Sequence, residues 1–130
     1  MTLERDLYGP DHEAFRETVR TFLAKEVVPH HERWEKAGAV DREVWRAAGR
    51  QGLLGPAVPE EYGGGGTDDF RHSAVLIEEF ARAGASGLAL SLHNDIVGPY
   101  LTRLADEEQK RRWLPGFTSG DLVTAIAMTE

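Results

Sequence analysis

Until Leu122, no segment of this chain alternates apolar and polar residues as a half-buried strand would, whereas segment after segment places apolar residues at helical spacing. That contrast predicts an all-α bundle over nearly the whole length. From Asp11 the sequence DHEAFRETVRTFLAKEVV puts Phe15, Val19, Phe22, Leu23 and Val27 on one stripe. Asp11 serves as N-cap, and Glu13 lies near the positive end of the helix dipole. Pro29 ends or kinks this helix because it removes a backbone donor, and HHERWEKAG is able to continue helically to Gly38. A second helix starts at Asp41, carries Val44, Trp45 and Ala48 inward, and closes at a left-handed Gly52.

The run LLGPAVPEEYGGGG is loop, with prolines at 56 and 59 and glycines from 63 to 66. Thr67 or Asp68 then caps a third helix through Arg82, with Phe70, Ala74, Ile77 and Ala81 on its apolar face and Leu76 and Phe80 widening it. A fourth helix, Gly87 to Leu104, is apolar on most sides and is predicted to be central, with a kink at Gly98 and Pro99. Asp106 and Gln109 have capping-box spacing and open a fifth helix ending near Pro115. After the turn TSGD, the stretch LVTAIAMT reads as one buried strand. A lone strand leaves its backbone donors and acceptors unsatisfied. The expectation is therefore a helical domain over 1–120 and, over 121–130, the start of a β-domain belonging to a longer protein.

A length of 130 residues suits one domain. No apolar stretch approaches the ~20 residues a bilayer span requires. The N-terminal MTLERDLYGPD carries three acidic residues and no apolar core of a secretory or transit signal, so a cytoplasmic location is expected. The absence of cysteine excludes disulfide and thiolate chemistry. A net charge of −7 repels a nucleic acid backbone, and the cluster Lys110, Arg111, Arg112 is expected to face solvent.

Motifs that could carry chemistry fall short when weighed singly. The GGGG loop lacks the preceding strand and the lysine of a phosphate-binding loop, which favours a flexible turn. Asp69 with His72 is the nearest approach to a carboxylate–histidine metal pair and occurs once, and His31 with Glu35 reads as a solvated pair; no metal site is expected. His93, inside the apolar fourth helix, either satisfies itself on a backbone carbonyl or stands beside a ligand. No nucleophile–base arrangement is present, so no catalytic residue is assigned within the chain.

The pieces PEEYGG (59–64), SLHNDIVGPYL (91–101), DEEQKRRWLP (106–115) and AIAMTE (125–130) together resemble acyl-CoA dehydrogenases, most of all the long-chain branch, from about Asp11 onward. The resemblance implies an N-terminal helical domain followed by a β-domain and a C-terminal four-helix bundle in a homotetramer. It implies FAD-dependent α,β-dehydrogenation of a fatty acyl-CoA to the trans-2-enoyl-CoA, with electrons passing to an electron-transferring flavoprotein. By position, Ile126, Ala127, Met128 and Thr129 would lie against the flavin, although many relatives carry an aromatic residue where Ile126 stands. Leu88, Ala89 and Leu92 would line the acyl pocket, and the glutamate base would lie beyond residue 130. Related oxidases, nitroalkane oxidases and flavin monooxygenases share this helical domain, and a cofactor-free interaction module is the alternative of another class.

Overall fold

The computed structural model describes residues 5–129, and among these every regular element is helical. Helix α1 (Pro10–Phe22) is capped two residues earlier than expected: Gly9, not Asp11, is the N-cap, and Pro10 occupies a first-turn position where its missing N–H costs nothing. Pro29 does not end the helical path. It follows a π-helical turn, Leu23–Val27, in which the Val28 N–H reaches back to the Leu23 carbonyl, and α2 (Val28–Ala37) continues to a left-handed Gly38. The wider turn accommodates a ring that has no N–H for the preceding carbonyls. Asp41 stands at the N-cap position of α3 (Arg42–Arg50), its carboxylate taken by Arg33 instead of the helix end, and Gly52 has a φ of 72°, as expected.

The glycine-rich loop is not a free turn. It folds back on residues 55–58 through Gly65 N–H to Gly55 O (3.2 Å) and Gly66 N–H to Val58 O (2.9 Å). A Cβ at Gly64 would overlap the Val58 carbonyl, so this close approach demands glycine. Helix α4 (Arg71–Ala83) starts after Phe70, later than Thr67 or Asp68 would place it. Its buried face is only partly the predicted one, for Leu76 and Phe80 are buried as expected. Phe70 is 64% exposed and Ile77 42% exposed, while Ser73, Val75, Leu76, Glu79 and Phe80 turn inward.

The fourth helical path covers residues 90–104, so Leu88 and Ala89 precede it. The expected kink is realised as two π-helical segments, Leu92–Val97 and Tyr100–Leu104, on either side of Gly98 and Pro99. Its inner residues Leu90, His93 and Val97 are buried, but Ile96, Tyr100 and Leu104 are exposed, so the path is central on one side only. Helix α5 (Glu107–Ser119) begins with the predicted capping box, Asp106 Oδ1 accepting from Gln109 N–H (2.8 Å) and Gln109 Oε1 from Asp106 N–H (3.0 Å). It runs through Pro115, because Leu114 and Phe117 on either side are fully buried and that burial, about 1.5–3 kcal/mol each, offsets one lost backbone bond.

The main core joins α1, α2, α3 and α4 around Val19, Val27, Trp45 and Leu53, and a smaller cluster sets Val58 and Tyr62 against Leu114 and Phe117. The stretch expected as a buried strand forms neither strand nor helix over 123–129. Met128 is 80% exposed, and no backbone–backbone hydrogen bond involves 123–129 among the described residues. A ladder needs a second strand, and none lies within residues 5–129. No described helix is long and apolar enough to cross a membrane.

Candidate functional site

An open cleft of about 410 Å³ lies between the C-terminal half of α4 and residues 84–91. Leu76, Phe80 and Leu88 give it apolar walls, Ala85, Ala89 and Ser91 keep it wide, and no lining side chain is charged. Two of the three sequence-derived acyl candidates therefore meet here: Leu88, which is buried, and Ala89, which is exposed to the cleft. Leu92 is half-buried one turn further on and is not part of the lining. Of the flavin candidates, Ile126 is half-buried, while Ala127, Met128 and Thr129 are exposed; none lines this cleft.

The two groups are tied through their neighbours. His93, next to Leu92, accepts at Nδ1 from the Thr124 hydroxyl (2.8 Å), two residues before Ile126. Its Nε2–H donates to the Phe117 carbonyl (3.0 Å), the backbone partner anticipated for a buried histidine. Burial lowers the His93 pKa, and the Phe117 carbonyl opposes that without reversing it, so the ring is neutral. Asn94 fixes the same helix to the loop by donating to Leu53 O and accepting from Gly55 N–H, each at 2.8 Å. On the helix's other side, a second cleft of about 430 Å³ exposes Asp95, Phe70 and Arg103. Burial pushes the Asp95 carboxyl up, partly countered by the Ser73 hydroxyl donating to it at 2.7 Å.

The Asp69–His72 pair acquires a third member that its sequence spacing could not show, His12 from α1, with the ligand-type atoms within 4.8 Å of one another. All three are engaged already. His12 Nδ1 accepts from Gly9 N–H, which leaves the proton on Nε2 for Asp69 (2.7 Å), and Arg71 grips the same carboxylate. Arg71 first, then His12, hold Asp69 well below the usual carboxylate range. A metal at His12 Nε2 would have to displace that proton while Nδ1 is also unprotonated, so a hydrogen-bonded structural cluster accounts for the geometry. Sequence spacing also gave no sign of Glu79, Asn94 or Thr124, whose roles depend on elements distant in the chain.

Among the described residues the chain forms an all-helical domain, with an uncharged cleft beside the half-buried helix 90–104. Residues 9–121 match the family described as Acyl-CoA dehydrogenase, N-terminal domain, and the chain belongs to the acyl-CoA dehydrogenase family. It is 48% identical to the mouse (Mus musculus) mitochondrial long-chain specific acyl-CoA dehydrogenase, over 97% of this chain and 29% of that protein. An acyl-CoA dehydrogenase crystal structure from Geobacillus kaustophilus superposes with a TM-score of 0.90 at 45% identity, covering 98% of this chain and 33% of that one. The Bacillus anthracis acyl-CoA dehydrogenase solved in complex with FAD gives 0.74 at 31% identity, over 92% and 20% of the two chains. The chain thus spans about a third or less of the length of these relatives.

Proposed function

We propose that this chain is the helical domain of an FAD-dependent enzyme that dehydrogenates long-chain fatty acyl-CoA thioesters to trans-2-enoyl-CoA. Residues 1–120 form that domain, and 121–130 lead into a β-domain. The observation that carries the reading is the uncharged cleft walled by Leu76, Phe80 and Leu88, since a slot for an alkyl chain must be apolar and small residues such as Ala89 deepen it. The exposed apolar face of helix 90–104 supports a position against further parts of a larger enzyme.

Residues 126–129 suit a flavin edge. They are uncharged, their backbone groups have no ladder partner among the described residues, and they add the Thr129 hydroxyl and the exposed Met128 thioether. Ile126, Ala127, Met128 and Thr129 would hold the ring, and FAD would supply the two-electron acceptor. Leu88 and Ala89 would exclude water and orient the alkyl chain, with Leu92 meeting it beyond the cleft, leaving proton abstraction to a base outside this chain. The proposal extends to a cytoplasmic homotetramer that passes electrons to an electron-transferring flavoprotein.

The test is anaerobic mixing of a long-chain acyl-CoA with the flavin-loaded protein carrying this domain, which should bleach the flavin's visible absorbance and release the enoyl thioester. The 130-residue chain alone should turn over no acyl-CoA with a dye acceptor. An unbleached flavin, or turnover by the chain alone, overturns the reading.

A further inference from the structure

His93 is 0% exposed, yet nothing in the proposed chemistry uses it. Its ring stacks on Phe117 at 3.7 Å between centroids with 12° between planes, and Trp45 closes the other approach at 5.3 Å. Held this way, the ring cannot turn. A nitrogen facing a carbonyl must carry the proton, so Nε2–H points at Phe117 O and Nδ1 is left as an acceptor. That acceptor receives the Thr124 hydroxyl at 2.8 Å and lies 3.4 Å from the Thr124 N–H. Among the described residues, these are the hydrogen bonds that the stretch 123–129 makes to the helical body.

We propose that His93 is a positioning residue: through Thr124 it latches the segment 125–129 to the helix that carries Leu92, with α5 as the anvil behind the ring. One fixed tautomer sets the latch. The Phe117 carbonyl assigns the proton to Nε2, and this makes Nδ1 the fixed point at which the outgoing segment is held. Burial follows the same register, for Thr124 and Ile126 are half-buried while Ala125 and Ala127 are exposed. Side chains that alternate in this way share a face with the latched residue, so Ile126 is aimed by the bond at Thr124. The functional meaning of the latch, alignment of the flavin-side residues with the acyl-side helix, rests on the proposed function.

Amide hydrogen exchange on the full chain, together with ring ¹⁵N spectra of His93, tests the latch without any flavin. The spectra should show the Nε2–H tautomer. Thr124→Val, nearly isosteric but without the hydroxyl, should speed exchange of the residue-124 amide, the one in this stretch that faces His93 Nδ1, by about tenfold, the worth of one net hydrogen bond, and leave α1 and α4 unchanged. Thr124→Ser should restore the wild-type rates, which a loss of general packing would not. Unchanged exchange in Thr124→Val, or an Nδ1–H tautomer, overturns the latch. An FAD titration of the enzyme carrying this domain separates the two readings. Weaker binding in Thr124→Val with rescue by Ser supports positioning of the flavin-side residues, and unchanged binding overturns that role. A wild-type enzyme that takes up no FAD overturns the flavin reading, with the exchange result still deciding the latch.

Discussion

Between α1 and α4 the interior holds charge. Glu79 is 2% exposed, and its carboxylate receives Arg16 and Arg20 at 2.8 Å each, while Arg16 also reaches Glu78 and lies over the Tyr8 ring. Along helix 90–104 the arrangement is reversed: Ile96, Tyr100 and Leu104 stand in solvent, and the inward side is fixed by neutral groups, the His93 ring and the Asn94 amide. Charge buried in a matched network ties two helices in one geometry, and breaking it is costly. Apolar surface left uncovered contributes nothing to this chain's own stability. The difference separates the part of the molecule that holds itself together from the part that faces outward.

The sharpest way to break the comparison is Glu79→Ala, which takes from the buried Arg16 guanidinium its one fully buried partner, leaving Glu78 and Glu13, and is expected to cost about 3 kcal/mol in urea unfolding. The double variant with Arg16→Met should cost less than the sum of the singles. The seam also fixes the sign of the acid response. Burial raises the Glu79 pKa, but Arg20 and Arg16 outweigh it and hold the group below its ordinary 4.5. Its contribution is fully present above that value and is lost as pH falls through the lowered folded value. Glu79→Gln should therefore flatten the acid-side decline in stability.

Next in size is Asn94→Ala, which leaves the Leu53 carbonyl and the Gly55 N–H without their partner and should cost about 2 kcal/mol in the same measurement. A comparable loss in α1–α4 amide protection would show that the two regions open as one unit. Protection lost only around residues 53–55 and 90–104 would keep them distinct.

These two sites also mark where the sequence was legible and where it was not. The α1 stripe was readable, for Val19, Phe22, Leu23 and Val27 are all buried as their spacing predicts. So were the Asp106 cap and the left-handed Gly52, because each is decided within one turn of chain. The α4 face was misread in part, at Phe70 and Ile77, for a physical reason. That helix has apolar residues on two sides, and what decides between them is Glu79, a charge that spacing places outside and that two arginines from α1 draw inside. The π-helical turns were equally hidden: Pro29 and Pro99 both lie by one, but Pro115 sits within the α-helical α5, so proline alone does not mark them. Of the sequence-derived acyl candidates, Leu88 and Ala89 line the uncharged cleft, whereas the His93–Thr124 link spans 31 residues and has no local signature.

A smaller effect of opposite sign should come from Asp95→Asn. Burial raises this carboxyl's pKa, so at neutral pH its ionised form weakens the fold, and the sign is the reverse of that at Glu79. The amide keeps an acceptor for the Ser73 hydroxyl and removes the charge. A modest rise in the unfolding midpoint at pH 7, vanishing as the pH falls and Asp95 protonates, is the expected result. A lower midpoint would place Asp95 in a charge-paired network like that of the seam, and the contrast between the regions would fail.

The smallest effect on stability is expected where apolar residues are most conspicuous. Leu104 is 75% exposed, and Ile96 and Tyr100 precede it on the same helical face at four-residue intervals. Replacing these three with glutamine should change the unfolding free energy by no more than about 0.5 kcal/mol per site, because little apolar area leaves water there when the chain folds. The same replacement should reduce self-association measured by sedimentation, since a contiguous apolar strip on a free surface is what drives non-specific contact. A loss above about 1 kcal/mol per site would mean that these side chains are packed within this chain. The outward-facing half of the comparison would then disappear, and with it the support that the face lends to a place within a larger enzyme.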